Sequence, residues 1–445
     1  MSEPFDPPAR FISGSILRHT VVMTLTGALG LMSLFIVDLA DLFFLSLLDQ
    51  TEVTAAIGYA GTIAFANLSL SIGTGIAAAA LVARHLGAGR VDLARNYAAS
   101  TLLFSLLVSA AITLALGGSA DWTLRLLGAS GEALRLAKIF LWTLMPGFVM
   151  LAGAICCSFI LRGLGDPRRA MYITLTAAVV IGILDPIFIF ALGLGIQGAA
   201  IATVIADAAA LAVGLHAVIR VHRFLGPFGW AGLRRDFSEI MVIGGPSMLT
   251  QLATPFSNAY LTHAVAPFGD EAVAASAIIG RIVPVAFGII FSLSGSVGPI
   301  IGQNFGAGRF DRVRETLRDG LVVSAIYTLL MSLLLFVFRH QLPALFRADG
   351  RTIDLVVFFC TFVAISWAFA GAQFVANAAF NNLGRPNLST LTNWGKATAG
   401  TIPPALVGAH YGGAEGVMGA VALGSVVFGL VSTLWAYRIV QQLEK

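Results

Sequence analysis

Twelve apolar stretches, each around twenty residues or longer, follow one another through this chain of 445 residues. A helix crossing a bilayer core of ~30 Å needs about 20 such residues. It must also satisfy every backbone N–H and C=O within itself once water is gone. The stretches run about 17–48, 53–83, 96–117, 135–162, 169–192, 196–221, 239–266, 272–302, 317–339, 352–380, 388–410 and 414–437. Hydrophobic residues make up 57% of the chain before its 48 glycines are counted, and charged residues only 11%, against roughly 25% charge in a soluble domain. The expected fold class is therefore an all-α membrane protein of twelve transmembrane helices. A soluble enzyme, a disordered chain and a disulfide scaffold are excluded. So is an outer-membrane barrel, whose strands alternate in polarity. Cys156, Cys157 and Cys360 lack metal-ligand spacing and read as buried thiols. No basic-aromatic stripe suggests a nucleic acid partner. The polar opening MSEPFDPPARF does not read as a cleavable signal.

Charge sets the expected topology, because Lys and Arg collect on the cytoplasmic side. With the N-terminus inside, 19 Lys and Arg fall on inner segments and 6 on outer ones, so both termini are expected in the cytoplasm. The halves repeat. LGAGR (86–90) returns as FGAGR (305–309), LRGLGDP (161–167) as FNNLGRP (380–386), and TEVTAAI (51–57) as DEAVAAS (270–276), each offset by 219 residues. Six helices per half is an even number, so two parallel six-helix repeats are expected, a transporter architecture with its substrate path at the repeat interface. The expected division is an N-terminal lobe 1–221, a cytoplasmic linker 222–238 and a C-terminal lobe 239–445.

An acid inside a span costs about 2.5–3.5 kcal/mol and marks function by default. Asp38 and Asp41 in helix 1, Asp185 in helix 5 and Asp207 in helix 6 qualify, all in the first half. Asp41, Asp185 and Thr203 each stand seven residues from an outer helix end, about 10 Å deep. Asp207 lies one turn beyond Thr203. Two carboxylates and a hydroxyl at one level can hold a hard cation such as sodium, or share a proton. Burial favours the protonated carboxyl, so a lobe opening and closing to water exchanges protons. Helix breaking at Pro186 or plain packing are the bland readings. Asp38, Asn67, Gln251, Asn258, Gln373 and Asn377 are expected on the substrate cavity.

Other motifs carry less. The GAGR turns (87–90 and 306–309) superficially resemble phosphate loops, yet they follow no strand and read as helix ends. Gly163–Asp166 spells GxGD, as in intramembrane aspartyl proteases, but lies in a loop without a partner Tyr-Asp pair. No GxxxxGK[ST] is present, so no nucleotide drives the protein, and neither enzyme activity nor a cofactor is expected.

IVDLADLFFLSLL (36–48), VTAAIGYAG (53–61), LVARHLGAGR (81–90), LDPIFIF (184–190), GIQGAAIATV (195–204) and IIGQNFGAGR (300–309) together make the chain resemble the multidrug and toxic compound extrusion (MATE) family over nearly its whole length. The resemblance implies cation-coupled export of amphipathic, often cationic, organic compounds by alternating access between two six-helix lobes. The branch resembling DNA-damage-inducible protein F keeps an Asp in helix 1, an Asn-x-x-x-Asp in helix 5 and a Thr in helix 6, which match Asp41, Asp185 and Thr203. Ile181 stands at the Asn position, which puts a complete sodium cage in doubt and favours protons. The other branch's Glu in helix 7 and acid in helix 10 are absent here. The family's early Pro in helix 1 is also missing, so bending of helix 1 relies on Gly27 and Gly30 or is absent.

The expected protein is thus a multi-pass antiporter of the bacterial inner membrane. It is taken to act as a monomer on small organic substrates with a proton or sodium ion, surrounded by lipid. The alternative is a flippase or exporter of lipid-linked or polysaccharide precursors. Only Arg281 and Lys396 are cations within spans, against four acids, which weighs against it.

Overall fold

The computed structural model describes residues 9–46, 51–346 and 348–444, and among these every regular element is helical. The helices are α1 (Ile16–Ser46), α2 (Thr51–Gly87), α3 (Val91–Leu126), α4 (Gly131–Gly163), α5 (Pro167–Pro186), α6 (Gly195–Leu215), α7 (Trp230–Val265), α8 (Asp270–Gly306) and α9 (Phe310–Val337). Then come α10 (Gly350–Asn382), α11 (Pro386–Ala397) and α12 (Ile402–Leu443). Ten helical runs among the described residues are long and apolar enough to cross a membrane. Two local causes separate ten from the expected twelve. The charge-free part of α7 carries Gly244, Gly245, Pro246, Ser247, Thr250 and Gln251, which dilute its apolar character. The last two expected spans fuse into the single run Pro386–Leu443, bent at Gly413, whose φ of 59° suits a residue without a Cβ.

Backbone contacts divide the chain into two compact units, one of Met1–Arg10 and Leu29–Met248, the other of Phe11–Ala28 and Leu249–Lys445. The division between these units falls inside α1 and α7.

In the first unit small residues set the helix spacing. A Cβ on Gly75 of α2 would stand 2.5 Å from the Phe159 ring of α4, and one on Gly214 of α6 2.8 Å from Cys157 Cβ. With no hydrophobic drive between helices in lipid, such close backbone approach supplies the packing. Cys156 and Cys157 are fully buried free thiols among Val82, Ile160, Leu161 and Ala210. The GAGR turns close helices: Gly89 and Gly308 have φ of 71° and 69°, the left-handed cap that ends a helix. The segment 222–238 is packed in part. Phe224 is fully buried, Gly226 N donates to Arg95 O at 2.9 Å, and α7 has begun by Trp230.

In the second unit, residues 11–28 are fixed to α8 and α9. The Arg312 guanidinium donates to the carbonyls of Phe11 (2.9 Å), Ser13 (3.3 Å) and Gly14 (3.0 Å). Gln303 Oε1 accepts from Phe11 N at 2.9 Å, and Ser292 Oγ donates to Thr24 O at 2.9 Å. Phe11, Ile16, Met23 and Ile300 close a small core there. Helix α1 continues unbroken through Gly27 and Gly30, with Gly30 lying against Thr174 of α5.

Candidate functional site

Two carboxylates stand deep in the first unit. Asp185 is 1% exposed in the last turn of α5. It is followed by Pro186, which supplies no N–H, and by a wide π-type turn over Ile187–Ala191, a distortion often found at functional positions. Asp207 on α6 is 7% exposed. It faces α4 where that helix presents Gly147: a Cβ at 147 would stand 2.9 Å from Asp207 Oδ2. The absent side chain therefore makes the space the carboxylate uses. No ion pair neutralises Asp207 among the described residues.

The other expected ion ligands fare differently. Thr203, half-buried, donates its hydroxyl to Ala199 O at 3.0 Å, one turn back on its own helix, and makes no bond to Asp185. Helical hydroxyls commonly satisfy themselves this way. Ile181, where an Asn would complete a sodium cage, is half-buried and packs against the core that holds Cys156 and Cys157. The side chains of Asp38 and Asp41 lie outside the described residues. Among the described residues no three His, Cys, Asp or Glu side chains group to hold a metal.

Asn67, 1% exposed, belongs to a polar seam inside the unit. Its Oδ1 accepts from Ser109 Oγ at 3.2 Å, and the same hydroxyl donates to Phe148 O at 2.9 Å. Below it, Thr74 and Ser105 share a bond of 2.9 Å. Phe148 adjoins Gly147, so this seam of α2, α3 and α4 ends beside the Asp207 contact. Sequence reasoning picked out Asn67 and Asp207 separately but missed Gly147, Ser105 and Ser109. The four-residue spacing of Ser105 and Ser109 in an otherwise apolar helix was the available signal.

Of the second-unit residues, Gln251 is half-buried and Asn258 exposed, while Gln373 (2%) and Asn377 (5%) are buried on α10.

A further cluster caps the start of α5, outside the spans. Asp166 accepts from His222 Nε2 at 2.9 Å and from Arg169. Burial pushes its carboxyl upward, but the bonds from His222 and Arg169 outweigh this and hold it well below the usual carboxylate range. The aspartate read as the last residue of GxGD is therefore an ionised helix cap.

A family model named MatE matches residues 28–187 and 246–402. The chain is 29% identical over 440 residues to a protein of Shewanella oneidensis named FAD transporter, covering 97% of each. It is 23% identical over 443 residues to the multidrug export protein MepA of Staphylococcus aureus, covering 97% of this chain and 92% of that one. In structure it resembles a mutant of the Vibrio cholerae MATE transporter VcmN at 26% identity and a TM-score of 0.92, covering 96% and 97%. A superfamily transporter from Pyrococcus furiosus, 23% identical over 98% of both chains, shares the fold with a TM-score of 0.91.

Proposed function

The chain belongs to the MATE family of multidrug and toxic compound efflux transporters, and we propose that it is a cation-coupled antiporter that exports amphipathic organic compounds by alternating access, driven by protons. It acts as a monomer in a bacterial inner membrane, with both termini in the cytoplasm. Asp41 is the main proton-accepting site, with Asp185, Thr203 and Asp207 as partners, and Asp38 belongs to the substrate cavity. The reading is carried by the first unit burying Asp185 and Asp207 to 1% and 7% exposure in predominantly apolar helices. A carboxyl in such surroundings is stable when neutral and becomes ionised when the lobe opens to water. Each proton returning down 100 mV supplies about 2.3 kcal/mol. A proton also fits better than sodium because the Ile181 side chain offers no oxygen.

A second reading keeps the mechanism and changes the cargo. The relative named FAD transporter supports a phosphate-bearing aromatic compound rather than a cation.

The test is dye efflux from proteoliposomes with separately imposed proton and sodium gradients. Asp41→Asn and Asp185→Asn are each expected to abolish proton-driven efflux while leaving the folded protein intact. Normal proton-driven efflux by Asp41→Asn refutes the assignment, and efflux driven by sodium alone refutes the proton.

A further inference from the structure

Helices α10 and α11 run antiparallel through the turn at 383–385, and Ser389 fixes their register. Its hydroxyl donates to Asn381 Oδ1 at 3.0 Å and to Asn377 O at 3.3 Å. Asn381, Asn377 and Gln373 recur every four residues, along one face of α10. Lys396 follows Ser389 by seven residues, on the same face of α11 and two turns, about 10.5 Å, further along. Moving the same distance back along α10 reaches the turn of Gln373. Lys396 and Gln373 therefore stand at one level on facing sides of the two helices.

Neither is satisfied by the protein. Lys396 is half-buried, and among the described residues no carboxylate lies within ion-pair range of its ammonium. The unit's paired acids are spent elsewhere, Asp311 on Arg309, Asp319 on Arg318, Glu415 on Arg351 and Glu444 on Arg314. Gln373 is 2% exposed and its Nε2 has no acceptor; Asn377 is 5% exposed and its Oδ1 has no donor. An ammonium and an amide N–H at one level, without a fixed counter-charge, form a cradle for an anion. The fold does not require the charge, since the repeat mate of Lys396 under the 219-residue offset is Ala177. Lys396 stands ten residues into α11, about 15 Å or half of a ~30 Å core. Lipid headgroups do not reach that depth.

Resting on the transport reading above, we propose that Lys396 and Gln373 form a binding point for a phosphate or carboxylate group of the transported compound, with Asn377 accepting a neighbouring donor. The second unit then reads an anion on the cargo while the acids of the first unit handle the coupling ion.

The test uses the full chain in nanodiscs of zwitterionic lipid and two fluorescent probes that differ by one phosphate, riboflavin and flavin mononucleotide. Binding is read by fluorescence anisotropy. The wild type is expected to bind the mononucleotide at least tenfold more tightly. Lys396→Met removes that preference and Lys396→Arg keeps most of it. Equal affinity for both probes in the wild type, or a preference that survives Lys396→Met, overturns the proposal. Should Lys396→Met fail to fold, Gln373→Glu decides: it must weaken the mononucleotide at least tenfold and leave riboflavin unchanged, and unaltered mononucleotide binding is again the overturning result. Proton-driven dye export by the wild type is measured alongside. Absent export with an intact phosphate preference sinks the transport reading and not the site; intact export without the preference sinks the site alone.

Discussion

Replacing Gly147 with Ala tests whether Asp207 belongs to the coupling machinery. The added methyl would stand 2.9 Å from Asp207 Oδ2, 3.2 Å from Val204 Cγ2 and 3.5 Å from Val204 Cα. To restore an ordinary contact, the carboxylate must retreat by about half an ångström or α4 and α6 must part. Overpacking of this kind costs about 1–3 kcal/mol, and the gain from replacing a helical Gly with Ala offsets about 1 kcal/mol of it. The net loss is about 0–2 kcal/mol, a fall in melting temperature of a few degrees at most. Gly153→Ala is the matched control, a second α4 glycine packed on α6. Its methyl meets Leu211 Cδ1 at 2.8 Å and Leu106 Cδ2 at 3.1 Å, so it crowds α6 equally but touches no charge. The assay is proton-driven dye efflux in proteoliposomes between pH 5.5 and 8.5, with melting temperatures taken alongside. The methyl excludes water from the ionised carboxylate and disfavours its charge. The pH of half-maximal efflux in Gly147→Ala is therefore expected to rise by half a unit or more, about 0.7 kcal/mol at 1.36 kcal/mol per unit. Gly153→Ala should melt similarly and keep the wild-type profile. If both variants show the wild-type profile, Asp207 carries no coupling proton.

Three further outcomes follow from the packing. Asp166→Asn should lower stability by about 1–3 kcal/mol at pH 7. Because the Asp166 pKa is depressed in the fold, its stabilisation is complete above the unfolded value near pH 4 and fades on acidification; melting curves of variant and wild type should converge as the pH falls below about 4. Arg312→Met removes the donor shared by the Phe11, Ser13 and Gly14 carbonyls, so limited trypsin digestion should cut after Arg18 several-fold faster, and an unchanged rate contradicts the clamp. Gly424 of α12 abuts the Gly400 carbonyl, whereas Gly412 has nothing within 4 Å; Gly424→Ala should lose the monodisperse peak in size-exclusion chromatography and Gly412→Ala should retain it.

The sequence alone determined the membrane class, the order of the helices and the family. These depend on properties local to the chain: the length of an apolar run, the period of a repeat, a charge at a helix end. The acids Asp185 and Asp207 were visible for the same reason, because a carboxylate in an apolar run is conspicuous before anything folds. Only the tertiary structure decided what each residue meets. Gly147 looked like any of the chain's 48 glycines until α4 packed on α6 and put it against Asp207. Residues 11–28 sit against α8 and α9 because Arg312, some 300 positions later in the chain, finds their carbonyls. The Asp166 of a protease-like motif caps α5 by accepting from Arg169 N–H, and it is held ionised partly by His222, 56 residues away. Helical period and hydropathy report which face of a segment is apolar; the partner of that face is set by the distance of closest approach between helices, and small residues far apart in the chain fix that distance jointly.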